Sequence, residues 1–204
     1  MGTMPKQPTF TASMRMVILH GKEPFLMSRY TDEIEAALSK EYGEVDKIIF
    51  DGATTDLATV LDEIRTLDLL TRHKLVVVDE ADTFLATKGT GSTSNRKAIE
   101  RYAESVVESA TLLLRATSWR PGKLDKAVAN IGLVFKFEPL SESDSVRWCL
   151  GRCTKEHACT IEVEAAQLLV QKIGLTLTRL DSELAKLVAM VAPKNIISKE
   201  VVIE

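Results

Sequence analysis

The sequence lacks any run of the roughly 18 apolar residues that a membrane-spanning helix needs. Its N-terminal segment MGTMPKQPTFTASMR also lacks the apolar core of a signal peptide. These two absences favour a cytoplasmic protein. Basic charge is not in excess either, since the formal net charge is −3 and the pI is about 5.7. This charge excludes a surface that binds nucleic acid over its whole extent, but it does not exclude a local basic patch.

Cysteine is scarce, and all three cysteines lie between residues 149 and 159. An odd number in one short stretch excludes a disulfide framework. Cys149, Cys153 and His157 are four residues apart and would share one helical face, with Cys159 close behind, so a metal set has to be weighed. Structural zinc sites usually pair their cysteines across a loop, whereas SVRWCLGRCTKEHA is an unbroken helical pattern. The sequence therefore favours half-buried apolar thiols and predicts neither a metal nor a cofactor.

Apolar strand patterns alternate with helical patterns as far as Pro139. This alternation predicts an α/β domain with a doubly wound parallel sheet of five strands, over residues 15–139 and after a disordered leader at 1–14. Strands are expected at 16–20, 46–50, 74–78, 111–116 and 133–137, and helices at 24–41, 56–66, 95–109 and 123–129.

After Pro139 the pattern is helical only, which predicts a small helical lid domain over 140–204. Ser141 and Ser143 are suitable caps for a helix at 144–158. Helices at 162–173 and 176–192 should follow, with Ser198 capping a further start. Because the pattern stops where another helix is expected, the chain is interpreted as a fragment of something longer.

An acidic strand end is the first candidate functional feature. Asp79 and Glu80 follow the apolar run Lys74 to Val78, where nucleotide-binding α/β proteins place a metal-holding Asp and a catalytic Glu. The phosphate loop GxxxxGK[ST] is missing, because the first strand is followed only by HGKEPF. One glycine, an acidic residue and a proline cannot form a nest of backbone N–H groups. We therefore expect no bound nucleotide, and a solvated or helix-capping role for the acidic turn.

A second candidate is the apolar turn between residues 64 and 72. An amphipathic helix is expected to end near Leu67, and Asp68-Leu69-Leu70-Thr71 then carries two leucines into a turn before the basic Arg72-His73-Lys74. Burying both leucines in a partner would contribute on the order of 3–6 kcal/mol, which is enough for an anchor. The alternative is that the pair covers the core under the sheet.

Four segments resemble, in order and spacing, the delta subunit family of the bacterial DNA polymerase III clamp loader, which has an AAA+-like fold. They are VILHGKEPFLMSRYTDEI, IRTLDLLTRHKLVVVDEAD, KLDKAVANIGLVFKFEPLSESDSVRWC and GLTLTRLDSELAKLVAMVAPKNIISKEVV. Two departures stand out. The family's C-terminal collar domain is absent from this chain, and its common Leu-Phe docking pair is Leu69-Leu70 here.

The resemblance implies a subunit without ATPase activity that belongs to a nucleotidyltransferase holoenzyme. Such subunits bind the sliding clamp and hold its ring open in DNA replication, so the implied clamp-binding residues are Leu67, Asp68, Leu69 and Leu70. Other loader subunits would bind through the collar domain, and DNA only indirectly or weakly. The implied remnants of a nucleotide site are Gly21, Lys22, Asp79, Glu80 and Arg179. Two alternatives stay open: an active AAA+ ATPase or helicase with an atypical phosphate loop, and a bridging loader subunit that does not grip the clamp.

Overall fold

The chain forms two compact units, one from Pro8 to Glu138 and one from Pro139 onward. The computed structural model describes residues 8–66, 72–87, 94–192 and 194–203. None of the helices in these ranges is long and apolar enough to cross a membrane.

The first unit is built on a five-stranded, all-parallel sheet, as the alternating pattern predicts. Its spatial order is β2-β3-β4-β1-β5. The strands are β1 (Met16–Gly21), β2 (Val45–Asp51), β3 (His73–Asp79), β4 (Ala110–Ala116) and β5 (Gly132–Phe137). Each agrees with its expected range to within one residue or so at either end. The carboxyl ends of β3, β4, β1 and β5 therefore meet along one edge, where the candidate acidic residues lie.

Helices cover both faces of this sheet. They are α1 (Pro24–Tyr42), α2 (Leu57–Arg65), α3 (Ala81–Ala86), α4 (Asn95–Glu104) and α5 (Lys123–Val128). Two differ from expectation. The short helix α3 was not predicted, because six residues are too few to show a helical period. Helix α4 ends at Glu104, before the expected residue 109. The backbone leaves the helical conformation at Ser105, and β-branched Val106 and Val107 follow.

Alternate residues of the central strands β1, β3 and β4 bury into opposite layers. Met16 and Ile18 of β1 pack into one core with α2 to α5, while Val17 and Leu19 pack into the other with α1. This double burial explains why the strands read as continuous apolar runs.

The expected disordered leader is partly wrong. Phe10 and Ala12 pack against the α1 layer. The Tyr30 hydroxyl donates to the carbonyl of Pro8 at 3.1 Å, and the Tyr42 hydroxyl donates to that of Ala12 at 3.1 Å. Residues 8–14 are thus held in place by hydrogen bonds from Tyr30 and Tyr42. The composition of the segment does not predict these contacts. Residues 1–7 lie outside the described ranges.

The second unit is mainly helical. Its elements are α6 (Glu142–Glu156), β6 (Thr160–Ile161), α7 (Val163–Ile173), α8 (Leu177–Val191), β7 (Ile196–Ile197) and α9 (Lys199–Ile203). Ser141 caps α6 as expected, because its Oγ accepts the Asp144 N–H at 3.2 Å. The expectation of helices only is wrong in one respect: β6 and β7 pair in parallel, and strands of two residues leave no periodic signal.

Candidate functional site

Asp79, at the acidic end of β3, forms an ion pair with Arg115. Arg115 lies beside Asp79 on the neighbouring strand, since Leu114 of β4 is in register with Val78 of β3. Its Nη2 donates to Asp79 Oδ2 at 2.6 Å and its Nε donates to Oδ1. Both carboxylate oxygens are therefore engaged by one guanidinium, the two-point geometry that makes such contacts strong. A divalent cation at Asp79 would have to displace Arg115.

Glu80 turns the chain away from the sheet. It adopts a left-handed conformation, with φ 47° and ψ 41°, directly before α3, and its side chain is exposed. A non-glycine residue in this conformation is uncommon and marks a tight turn. Together with Asp79, Arg115, Thr117, Pro24 and Ser28, it lines an open cleft of about 400 Å³. The cleft is large enough for a small ligand, but its charged groups are two carboxylates and one guanidinium.

The turn from β1 into α1 is closed against β5. Gly21 has φ +125°, and a Cβ built on it would lie 2.0 Å from the Phe137 carbonyl oxygen. The N–H of Lys22 donates to the same oxygen at 3.0 Å. Pro24, the first residue of α1, has no N–H to offer. The donors that would face a phosphate are therefore used or missing.

Glu23 adds negative charge where a phosphate would lie. Only 7% of its surface is exposed, and burial raises the pKa of its carboxyl while the Phe25 backbone N–H opposes that shift. A carboxyl group is thus buried at the start of α1, the kind of helix N-terminus at which phosphates bind. The sequence predicted that an acidic residue in this turn is unsuited to a phosphate nest, but it gave no sign that Glu23 is buried.

Gly21, Lys22, Asp79 and Glu80 thus lie at one edge of the first unit, where the carboxyl ends of its parallel strands meet. Their assignment as remnants of a nucleotide site stays a prediction. Arg179 lies in the second unit, exposed in the first turn of α8, where its backbone N–H donates to Thr176. The charge network of that unit centres instead on Arg152, whose guanidinium binds Asp181 at 2.6 Å and Glu156 at 3.3 Å.

The predicted clamp-binding residues Leu67, Asp68, Leu69 and Leu70 lie outside the described residues. The described residues on either side are tightly held. Lys74 of β3, only 6% exposed, forms an ion pair with Glu63 in the last turns of α2. A lysine so buried is rarely found without a partner, and the sequence, which shows Arg72-His73-Lys74 only as a basic segment before the strand, does not indicate which residue that partner is.

His73 is buried as well. Its ring stacks on Tyr42 with centroids 4.4 Å apart, and its Nε2 lies 2.9 Å from Thr111 Oγ1, while Nδ1 has no partner among the described residues. Burial, assisted by nearby Arg15, lowers its pKa to about 4. The strand start that follows the predicted docking segment is therefore part of the core.

The three cysteines are buried thiols. Burial raises the pKa of Cys149 to about 12 and that of Cys153 to about 11, in each case with help from a neighbouring cysteine. Within the described ranges, no three His, Cys, Asp or Glu side chains are grouped so that they could hold a metal ion.

Comparison with known proteins connects this geometry to a family. The family model for the DNA polymerase III delta subunit matches residues 17–141, more than half of the chain. No protein of curated function matches it. Among solved structures, the Bacillus subtilis DNA clamp loader delta protein (YqeN) has a TM-score of 0.69 and 22% identity, over 92% of this chain and 57% of that one.

Two other structures share the fold at lower identity. The Thermotoga maritima RuvB Holliday junction branch migration motor has a TM-score of 0.60 and 14% identity, over 94% of this chain and 60% of that one. The Aeropyrum pernix ORC2 protein has a TM-score of 0.55 and 15% identity, over 93% and 60%. The present chain thus spans less than two thirds of each. The likeness in structure gives the AAA+-like fold, and from the family-model match the chain belongs to the DNA polymerase III delta subunit family.

Proposed function

We propose that this chain is the part of a clamp-loader subunit that grips the DNA sliding clamp and helps to open its ring without hydrolysing ATP. The observation that carries the proposal is that, in this delta-family chain, other protein groups already engage the residues that would otherwise face a nucleotide. Asp79 is paired with Arg115, the Lys22 N–H is bonded to β5, and Glu23 lies buried at the start of α1. An AAA+-like fold altered in this way is suited to binding a protein partner rather than to ATP turnover.

The clamp contact is assigned, from the sequence, to Leu69 and Leu70 with Leu67 and Asp68 beside them. The structure around this segment supports the assignment indirectly. The ion pair between Glu63 and Lys74 joins α2 to β3, so the chain enters and leaves the segment from fixed positions. A segment with fixed ends loses less conformational entropy on binding than one with loose ends.

The test is a direct binding measurement between the 204-residue chain and the organism's own sliding clamp. Changing Leu69 and Leu70 together to serine should weaken binding by at least about a hundredfold, the loss expected when two apolar anchors are removed. The matched control changes two exposed apolar residues elsewhere, Ile49 (52% exposed) and Leu175 (45% exposed), to serine. This control should bind like the wild type.

Thermal melting of both variants separates docking from folding. If the Leu69/Leu70 variant melts like the wild type but binds as tightly, the docking assignment is wrong. If it unfolds, the leucines belong to the core. If the wild-type chain does not bind the clamp at all, the alternative of a bridging loader subunit replaces the proposal.

A further inference from the structure

Strand β2 forms one of the two edges of the five-stranded sheet. It is in register with β3 over its whole length, and it has no second neighbour among the strands that the structure describes. Alternate residues of β2 therefore direct backbone N–H and C=O groups away from β3, where a further strand could pair with them. We call this open side of Val45–Asp51, together with Glu44 before it, the β2 edge.

The β2 edge lacks the features that usually protect an edge strand from pairing. Proteins block such strands with proline, a bulge, short length or an outward lysine. β2 has seven residues, no proline and an unbroken register with β3. Its one lysine, Lys47, is ion-paired with Glu35 and Asp32 of α1. Ile49, near the middle of the strand, is 52% exposed, so the edge offers apolar surface as well as backbone groups.

The opposite edge of the sheet, β5, is protected. It begins at Gly132, and its Lys136 side chain is 58% exposed. An outward lysine on an edge strand opposes pairing with another chain. β5 therefore provides a comparison for β2 within the same sheet.

The region around the β2 edge carries strong negative charge. Residues 24–65, which contain α1, β2 and α2, include ten acidic and four basic residues, a net charge of −6. The whole chain has a net charge of only −3, so the rest of the chain is positive. The cation of the strand, Lys47, is already bound by two carboxylates and does not offset the acidic residues of the strand itself.

Acidic side chains lie towards both ends of the β2 edge. They are Glu44, Asp46 and Asp51. No lysine or arginine among the described residues forms an ion pair with any of the three, and both Glu44 and Asp51 are exposed. Asp51 accepts the Ala53 N–H at 2.8 Å, a contact that leaves its negative charge in place. An extended segment with basic ends and an apolar middle complements this arrangement.

Two other occupants fit the edge less well. A second copy of this chain would bring the same negative charge to the interface, and like charges on paired strands are destabilising. Nucleic acid binds through its phosphates, which the acidic residues would repel. The charge therefore favours a basic peptide.

We propose that the β2 edge binds an extended basic segment of a partner protein as an added strand. The backbone of the segment pairs with β2, an apolar side chain covers Ile49, and lysine or arginine side chains bind the acidic residues at the two ends. This proposal does not rest on the clamp contact, since it uses different residues.

The test uses a fluorescein-labelled peptide, Arg-Lys-Val-Thr-Val-Thr-Val-Lys-Arg-amide, and fluorescence polarisation with the 204-residue chain. Three labelled probes serve as comparisons. One has proline at the central Thr-Val-Thr, which keeps the charge but removes three N–H donors; one has Glu for every basic residue; the third is an oligothymidine. The basic strand peptide should bind at least about tenfold tighter than each of them.

Hydrogen exchange locates the added strand. When the basic peptide is added to the wild-type chain, backbone amides of residues 45–51 should exchange more slowly, because the outward N–H groups gain partners. Amides of residues 132–137, on the opposite edge, should exchange at an unchanged rate. This comparison needs no variant.

A double variant tests the side chains. Glu44→Lys with Ile49→Lys places two cations on the β2 edge and should weaken binding by at least about tenfold. The matched control makes the same two changes at exposed positions outside residues 24–65, Glu104→Lys with Met190→Lys, and should bind like the wild type. Thermal melting verifies that both variants are folded.

Four outcomes overturn the proposal. Equal binding of the proline peptide means that charge alone attracts the probe and no strand is added. Tighter binding of oligothymidine means that the ligand is nucleic acid. Slower exchange at 132–137 in place of 45–51 moves the site to β5. Self-association of the chain that Ile49→Lys abolishes, measured by sedimentation, makes a second copy the occupant.

Discussion

Asp79 and Arg115 form a two-point ion pair across the adjacent strands β3 and β4, at the position where a nucleotide-binding relative would hold its metal. The Arg115 side chain is 18% exposed and that of Asp79 is 38% exposed. The pair is thus partly shielded from water. Its contribution to stability should lie between that of an exposed ion pair, which is small, and that of a buried pair, whose loss is costly.

We expect Asp79→Asn to lower the free energy of unfolding by about 1–2 kcal/mol, because it leaves a partly buried guanidinium without its counter-charge. Urea unfolding measures this change. Glu80→Gln is the matched control, since Glu80 is exposed, and it should stay within about 0.5 kcal/mol of the wild type. The double mutant with Arg115→Met should lose less stability than the sum of the two single losses. Full additivity would mean that the pair contributes nothing.

The same pair bears on nucleotide binding. With the Lys22 N–H bonded to Phe137 and Glu23 at the start of α1, a triphosphate would meet negative charge and few donors. We expect isothermal titration with MgATP to give no binding at micromolar concentrations, and a phosphate-release assay to give no turnover. Turnover that disappears in Glu80→Gln would instead establish the ATPase alternative.

The closed turn at Gly21 gives a sharper structural test. Gly21→Ala would place a Cβ 2.0 Å from a backbone oxygen at φ +125°, a conformation that alanine avoids. Since backbone atoms cannot move aside cheaply, we expect a loss of at least about 3 kcal/mol in the free energy of unfolding. Gly151, inside α6, has open space within 4 Å of the point where an alanine methyl group would lie. Gly151→Ala should therefore stabilise the fold by about 0.5–1 kcal/mol. Equal effects in the two variants would contradict the closed turn.

The strands and most helices could be predicted because burial on both sheet faces leaves long apolar runs between helical patterns. Helix α3 and the short pair β6 and β7 could not, because they are too short for the helical or strand period to repeat clearly.

The candidate site, too, could be predicted from the sequence only in part. The missing phosphate loop is visible in His20-Gly21-Lys22-Glu23-Pro24. The partner of Asp79 is not, because it depends on β3 and β4 being neighbours in the sheet. A signal was present nonetheless: Arg115 interrupts the apolar strand ATLLLRA, and an arginine there needs a counter-charge at the end of an adjacent strand. Lys74 is likewise a cation on a buried strand, and it forms an ion pair with Glu63 on α2.

The buried imidazole of His73 predicts a loss of stability in mild acid. Its pKa is about 4 in the folded chain, below the ordinary histidine value of 6.5, so between these values the unfolded chain binds more protons. Stability is therefore fully present above about pH 6.5 and is lost as the pH falls towards 4, by at most about 3 kcal/mol. Protonation would leave a charged ring stacked on Tyr42 with Arg15 nearby.

Urea unfolding at intervals between about pH 7 and pH 4 measures this slope. His73→Gln removes the titrating group at the same site, so the variant should be less stable at neutral pH but should lose less stability on acidification. His20→Gln is the control at a second histidine, whose pKa is also lowered, by burial and by Lys136, but whose side chain is less buried than that of His73. Its slope should stay closer to that of the wild type. If His73→Gln keeps the full wild-type slope, carboxylates cause the acid sensitivity, and the imidazole does not.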